Sequence, residues 1–327
     1  MTPLLQVKNL KVVFKTHSNL IQAVRGVDFC VYPNETVGIV GESGCGKSVM
    51  VKALLKLFSS PSAYIEQGEV LYQNQNLIAL PEKHLRKIRG QEIGMIFQDA
   101  MTSLNPTMSI GKQILENLLY HFKISFQEAY TKTLFLLNLV GIHPIEHTFT
   151  QYPHELSGGM RQRVMIAIAL ALSPKILIAD EPTTALDATV QAQILQLLKD
   201  IQGKTHTSIV FITHDLSVVA GFCDRVIVMY AGKIIEQGSV DQLFQNPQHP
   251  YTKKLLESIP RLDASSDKPL NPIRGNPPNL SLPIIGCSFA PRCPSPLNIC
   301  FKQAPPLFSL SKDSISACWQ HDPRSVI

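Results

Sequence analysis

Val37-Gly-Ile-Val40-Gly41-Glu-Ser-Gly44-Cys-Gly46-Lys47-Ser48 decides how the rest of the chain is read. An apolar run long enough for one buried strand ends in a loop that fits G-x-x-x-x-G-K-[ST] at every fixed position, and a helical pattern, Val49 to Phe58, follows. Glycines at 41, 44 and 46 let the backbone turn so that its N–H groups face a polyphosphate, and the helix N-terminus adds a partial positive charge. Lys47 has the reach for β- and γ-phosphates, and the Ser48 hydroxyl is a Mg²⁺ ligand.

Other strands of the same kind lie outward from this loop. Ile93-Gly-Met-Ile-Phe97, Lys175-Ile-Leu-Ile-Ala179 and Ser208-Ile-Val-Phe-Ile212 join Thr36–Val40 as short, continuously apolar runs. Between them, helical patterns run from about Met160 to Leu172 and from Ala188 to Ile201. That alternation predicts an α/β fold with a parallel sheet covered on both faces. The strand ending at Ala179 leads into Asp180-Glu181. A carboxylate at the C-terminal end of a buried strand is placed to hold Mg²⁺, and the next one to act as general base or to orient the attacking water. The Asn-Lys-x-Asp string of guanine recognition is absent, so ATP is the expected nucleotide.

Composition sets the outer bounds. The chain has 327 residues, 45% hydrophobic and 17% charged, which suits about two folded domains and excludes a disordered or collagen-like chain. The longest apolar run, Val164 to Leu172, is half of the ~18 residues that a membrane span needs, and the first ten residues have no signal-peptide core. A net charge of +5 does not call for nucleic acid as a partner. More than half of the 23 prolines, and Cys287, Cys293, Cys300 and Cys318 among the seven cysteines, lie beyond residue 259. A tail so rich in proline has no room for long helices or central strands.

Leu156-Ser157-Gly158-Gly159-Met160-Arg-Gln-Arg163 then narrows the family. With the loop and Asp180-Glu181 it resembles the ATP-binding cassette (ABC) family, whose signature is an L-S-G-G-Q-like string at a helix N-terminus; Met160 stands where many members have Gln. The resemblance implies a P-loop ATPase cassette over about residues 1–258. Within it are a RecA-like core, an antiparallel β subdomain and a helical subdomain at about 99–165. It also implies roles, residue by residue. Gly41, Ser43, Gly44, Gly46, Lys47 and Ser48 bind the polyphosphate, and Ser157, Gly158 and Gly159 contact the γ-phosphate held by a partner cassette. Gln98 is the Q-loop glutamine, Ala185-Leu186-Asp187 the D-loop, His214 the switch histidine, and Phe14 the aromatic stacked on adenine. Glu181, His214 and Gln98 thus form the catalytic set, with Ser48, Gln98 and Asp180 around Mg²⁺.

Gln98-Asp-Ala-Met-Thr-Ser-Leu-Asn-Pro106 and Asn246-Pro-Gln-His-Pro-Tyr-Thr252 look like strings of the oligopeptide/dipeptide importers, although Ala100 replaces their Pro. Gly275-Asn-Pro-Pro278, Gly286-Cys287-Ser-Phe-Ala-Pro-Arg-Cys293-Pro and the C-x5-C-x6-C-x17-C spacing resemble the C-terminal extension of the same importers, here 259–327. A reducing compartment argues against disulfides. Four loosely spaced thiols permit a [4Fe–4S] cluster through Cys287, Cys293, Cys300 and Cys318. Reduced structural thiols are the alternative, and zinc is disfavoured because tight C-x2–4-C knuckles are missing. The family implies an ATPase that powers peptide import from the cytoplasmic face of the membrane. Its partners would be a second ABC ATPase subunit, two transmembrane permease subunits and, indirectly, a solute-binding protein. A nickel importer and a soluble non-transport ABC ATPase are the alternatives.

Overall fold

The computed structural model describes residues 2–16, 19–58, 60–184, 186–259, 273–311 and 313–326. The chain divides into two compact units. One comprises Met1–Tyr32, Thr36–Ile78 and Thr213–Ile327, the other Pro33–Glu35 and Ala79–Ile212.

The first unit opens with β1 (Leu5–Lys15), β2 (Leu20–Val31), β3 (Thr36–Val40), α1 (Lys47–Leu54), β4 (Ala63–Tyr72) and β5 (Gln75–Asn76). Strands β2, β1, β4 and β5 form an antiparallel sheet in that order. Leu5 pairs with Val31 on one side and Tyr72 on the other, so the apolar positions of three strands share a buried layer. All five residues of β3 are buried, which is why its pattern is continuous rather than alternating.

The second unit contains α2 (Glu82–Gln91), β6 (Ile93–Ile96), α3 (Ala100–Ser103), α4 (Ile110–His121), α5 (Phe126–Leu139), α6 (Ile145–Thr150), α7 (Gly158–Leu170), β7 (Ile176–Asp180), α8 (Ala188–Thr205) and β8 (Ser208–Thr213). Strands β6, β7 and β8 run parallel, with Ile93 opposite Ile176 and Ile178 opposite Val210. Helix α7 buries Val164, Met165, Ile166, Ala167, Ala169 and Leu170, residues on every side, as an internal helix must. The helices between β6 and α7 pack on one another, and Ala100 begins a short turn capped by the Asp99 carboxylate, which accepts the Met101 N–H.

The first unit resumes with α9 (Leu216–Phe222), β9 (Arg225–Tyr230), β10 (Lys233–Ser239), α10 (Val240–Gln245), α11 (Pro250–Glu257), β11 (Phe308–Ser309) and β12 (Ile315–Ser316). Strand β9 pairs in parallel with β3 and antiparallel with β10; β12 and then β11 continue outward from β10. The proline-rich tail groups with this unit instead of forming one of its own. Its apolar cluster is small: Ala290, Cys300 and Trp319, with Cys287, Leu297 and Phe308 against it. So few side chains cannot offset the ordering entropy of some 50 residues. The tail instead adds two short strands outward from β10, first β12 and then β11 at the edge, and neither contains a proline. Among the described residues, no helix is long and apolar enough to cross a membrane.

Candidate nucleotide site

Strand β3 delivers the loop 41–48 onto the N-terminus of α1. The turn is tight enough to demand glycine twice. A Cβ on Gly41 would lie 2.2 Å from the Met229 carbonyl oxygen, and one on Gly46 (φ +101°) 2.3 Å from that of Ala23. Ser43 and Gly44 form the exposed rim and Ser48 is half-buried. Lys47 is buried, and its ammonium lies across the loop, donating to the carbonyls of Gly41 at 2.7 Å and Glu42 at 3.0 Å. No acidic residue stands in the first turn of α1, so the positive end of its dipole is not offset locally. Backbone N–H groups, a helix N-terminus and a lysine make this loop a cradle for an anion. Burial pushes the Cys45 thiol up, against the pull of Lys47, which disfavours the thiolate form.

In the second unit, the register of two strands assembles the carboxylate site. Ile96 on β6 lies opposite Ala179 on β7, so two residues on, Gln98 and Glu181 come together. The Gln98 amide donates to Glu181 Oε2 at 3.2 Å, and the Thr184 hydroxyl donates to the same oxygen at 2.9 Å. Asp180 is fully buried at the strand end. Glu181 sits in the left-handed region, with φ +48° and its N–H donating to the Ile212 carbonyl. A non-glycine residue held there is strained, and the strain re-aims the carboxylate away from the line of the strand.

The Leu-Ser-Gly-Gly string lies where its cap predicts. Exposed Ser157 is the N-cap of α7, its Oγ accepting the Met160 N–H at 3.3 Å. Gly159 faces α8: a Cβ there would lie 2.8 Å from Val190 Cγ1, so glycine allows the two helices to approach. Asp187 caps α8 by accepting the Val190 N–H, which ties Leu186 and Asp187 to that contact; Ala185 lies outside the described residues. His214 is exposed just beyond β8, where the Thr213 hydroxyl accepts the Asp215 N–H. Phe14 is half-buried on β1, opposite Ile21 and Ala63.

Two residues that sequence reasoning passed over hold the loop from behind. Tyr251, fully buried at the start of α11, accepts the Glu42 N–H on its hydroxyl at 2.9 Å. Arg292 in the tail forms two parallel hydrogen bonds to the Glu42 carboxylate, at 2.7 and 2.9 Å, which hold its guanidinium above the ordinary arginine value. Both lie within strings quoted for their resemblance, Asn246–Thr252 and Gly286–Cys293, yet a spacing carries no sign of a partner more than 200 residues away.

The iron–sulfur expectation does not find support. Cys287, Cys293, Cys300 and Cys318 share one module, close enough for the first three to raise Cys318 electrostatically. Among the described residues, however, no three His, Cys, Asp or Glu side chains gather in a way that holds a metal ion. Burial, the largest cause in each case, pushes the Cys287 and Cys293 thiols up and that of Cys318 to about 11. Cys300 instead sits in the apolar cluster with Trp319, and its carbonyl accepts the Cys287 N–H at 2.7 Å. The donors as arranged do not fit a cluster, and packing is the role that Cys300 and Cys287 show.

Comparison with known proteins decides the family. The ABC transporter family model matches residues 24–184, and that of the oligopeptide/dipeptide transporter C-terminal region matches 235–300. The oligopeptide transport ATP-binding protein OppD of Bacillus subtilis is 54% identical, over 98% of this chain and 90% of that protein. The chain belongs to the ABC transporter family. The dipeptide transport ATP-binding protein DppD of the same bacterium is 51% identical over 99% of this chain and 97% of its own. The OppD of Escherichia coli is 47% identical over 97% and 93%. Among solved structures, a dimeric ATP-binding cassette in a post-hydrolysis state, bound to ADP and Pi, superposes with a TM-score of 0.65. It is 31% identical, covering 72% of this chain and 98% of that one. As a member of this ATPase family the chain has ATP as its substrate, and the cradle at 41–48 suits it.

Proposed function

We propose that this ABC ATPase subunit powers the import of oligopeptides or dipeptides through a membrane transporter, working peripherally on the cytoplasmic face with permease subunits and, through them, a solute-binding protein. The observation that carries this reading is the near-full-length likeness to proteins named for oligopeptide and dipeptide transport, tail included. The same names favour peptides over nickel. In this reading residues 1–258 are the cassette, with a helical subdomain at about 99–165 that meets the permeases, and 259–327 are an importer-specific extension.

The residues divide the work by chemistry. The N–H groups of the loop and Lys47 bind and orient the polyphosphate of ATP. Ser48, Gln98 and Asp180 offer the hydroxyl, amide and carboxylate oxygens that suit Mg²⁺, which when bound offsets charge on the phosphate oxygens. Glu181, aimed by its left-handed backbone and held by Gln98 and Thr184, orients the attacking water and accepts its proton. His214 contacts the γ-phosphate, Phe14 stacks on adenine, and Ser157, Gly158 and Gly159 present the α7 N-terminus to the ATP of a second cassette. Closure of two cassettes on ATP, and separation after hydrolysis, would drive the permeases between their two states.

Replacing Glu181 by Gln keeps its size and hydrogen bonding but removes the base. ATP turnover should fall by roughly 10²–10³-fold with ATP binding retained. Turnover within threefold of the unaltered protein would remove Glu181 from the chemical step.

A further inference from the structure

Arg292 and Glu42 lie 250 positions apart, yet they form a bidentate ion pair. The guanidinium has five N–H donors, and each has an acceptor. Nη1 donates to Glu42 Oε2 at 2.7 Å and to the Tyr230 hydroxyl at 3.2 Å. Nη2 donates to Glu42 Oε1 at 2.9 Å and to the Ile273 carbonyl at 3.2 Å, while Nε donates to the Arg274 carbonyl at 3.0 Å. The arginine side chain is only 6% exposed, and the Tyr230 ring centroid lies 5.8 Å from its Cζ. Tyr230 in turn packs with Tyr251 and Phe289, one pair tilted and two edge-on, with centroids 4.6 to 5.4 Å apart. Few surface ion pairs are built in this way; the burial of Arg292 limits solvent screening, and its geometry is fixed from three sides.

Glu42 is the first variable position of the loop 41–48. Its N–H is held by Tyr251, its carbonyl by Lys47, and its carboxylate by Arg292. A bare carboxylate there would repel the polyphosphate that the loop is shaped to bind, and it would be free to pull Lys47 away from that anion.

We infer that Arg292, carried by the C-terminal extension, is a positioning residue for the phosphate loop, which neutralises and fixes Glu42 and so makes ATP affinity depend on the extension. The inference rests on the reading of 41–48 as the phosphate loop. It also gives the Gly286–Cys293 string a task in the ATP cycle other than metal binding.

The test is the dissociation constant of the full chain for Mg-ATP, measured by calorimetry alongside a melting curve. Arg292→Ala should raise it about tenfold, because an uncompensated charge is left beside the loop. Arg292→Lys, which keeps the charge but loses the fork, should raise it by roughly threefold or more. Adding Glu42→Gln to Arg292→Ala should bring the constant back to within about threefold of the original, since the repelling charge is gone. A part that merely supports folding would lower the melting temperature, and Glu42→Gln would not restore binding. Unchanged affinity in Arg292→Ala, or no recovery in the double variant, overturns the inference. Should Arg292→Ala fail to fold, the Lys variant and the double variant decide by the same thresholds. Lys47→Ala separates the two levels: if it leaves ATP binding intact, the phosphate-loop reading itself falls. If it abolishes binding while Arg292→Ala does nothing, only the role of Arg292 falls.

Discussion

His249 shows how one side chain in a family string can be structural and still leave a measurable trace. It is buried at the N-cap of α11, where its Nδ1 accepts the Tyr251 N–H at 3.0 Å and so sets the residue that props the phosphate loop. Burial, and next the neighbouring His321, hold its imidazole down to about 3, against a hydrogen bond to the Ala317 backbone. Glu236, which receives the N–H groups of Gln248 and His249, is shifted up by its own burial. Because the folded imidazole stays neutral while the unfolded one takes a proton below about 6.5, its contribution is complete above that pH. It is lost as the pH falls toward 3. By pH 5 the loss is about 2 kcal/mol. His249→Asn keeps a cap acceptor and removes the titration. Urea melts of both proteins from pH 7 to pH 5 should therefore show the original losing that much more stability than the variant. Parallel losses would mean that His249 is protonated in the folded state.

At the scale of elements, much was legible, and the reasons are physical. Continuous apolar runs of four residues mark β3, β7 and β8 because both sides of those strands are buried. The start of α7 reads two residues late from hydrophobic periodicity alone, since periodicity begins at the first buried turn while Ser157 caps the helix at Gly158. The meeting of Gln98 and Glu181 could not be read, because it depends on the register of β6 against β7, which no single strand encodes. The need for glycine at 159 is equally a property of two helices. Gly159→Ala places a Cβ against the stiff, branched Val190 and should cost about 1–3 kcal/mol in thermal unfolding. Val190→Ala in the same chain should return most of that loss. If the double variant is no more stable than Gly159→Ala alone, the glycine serves something other than this helix contact.

At the scale of the whole molecule, proline and cysteine rise beyond residue 259, but composition gave no sign that the tail groups with the first unit. Proline content argues against long strands, and β11 and β12 are two residues each, but it says nothing about where they attach. Cysteine count pointed toward a metal, whereas the side chains place Cys300 in a small apolar core with Trp319 and leave Arg292 as the residue that reaches the loop. In the proposed reading, loop, carboxylate site and signature string carry the nucleotide chemistry, and the tail matches the oligopeptide/dipeptide transporter C-terminal region.

Uptake of a labelled dipeptide or oligopeptide tests that assignment most directly. It is measured in host cells whose own copy of this subunit is deleted and replaced by this chain or by its Lys47→Ala variant. ATP-driven peptide import through this subunit predicts uptake with the unaltered chain and loss to background with Lys47→Ala. Equal peptide uptake by both strains, or uptake restored for nickel and not for peptides, would contradict it.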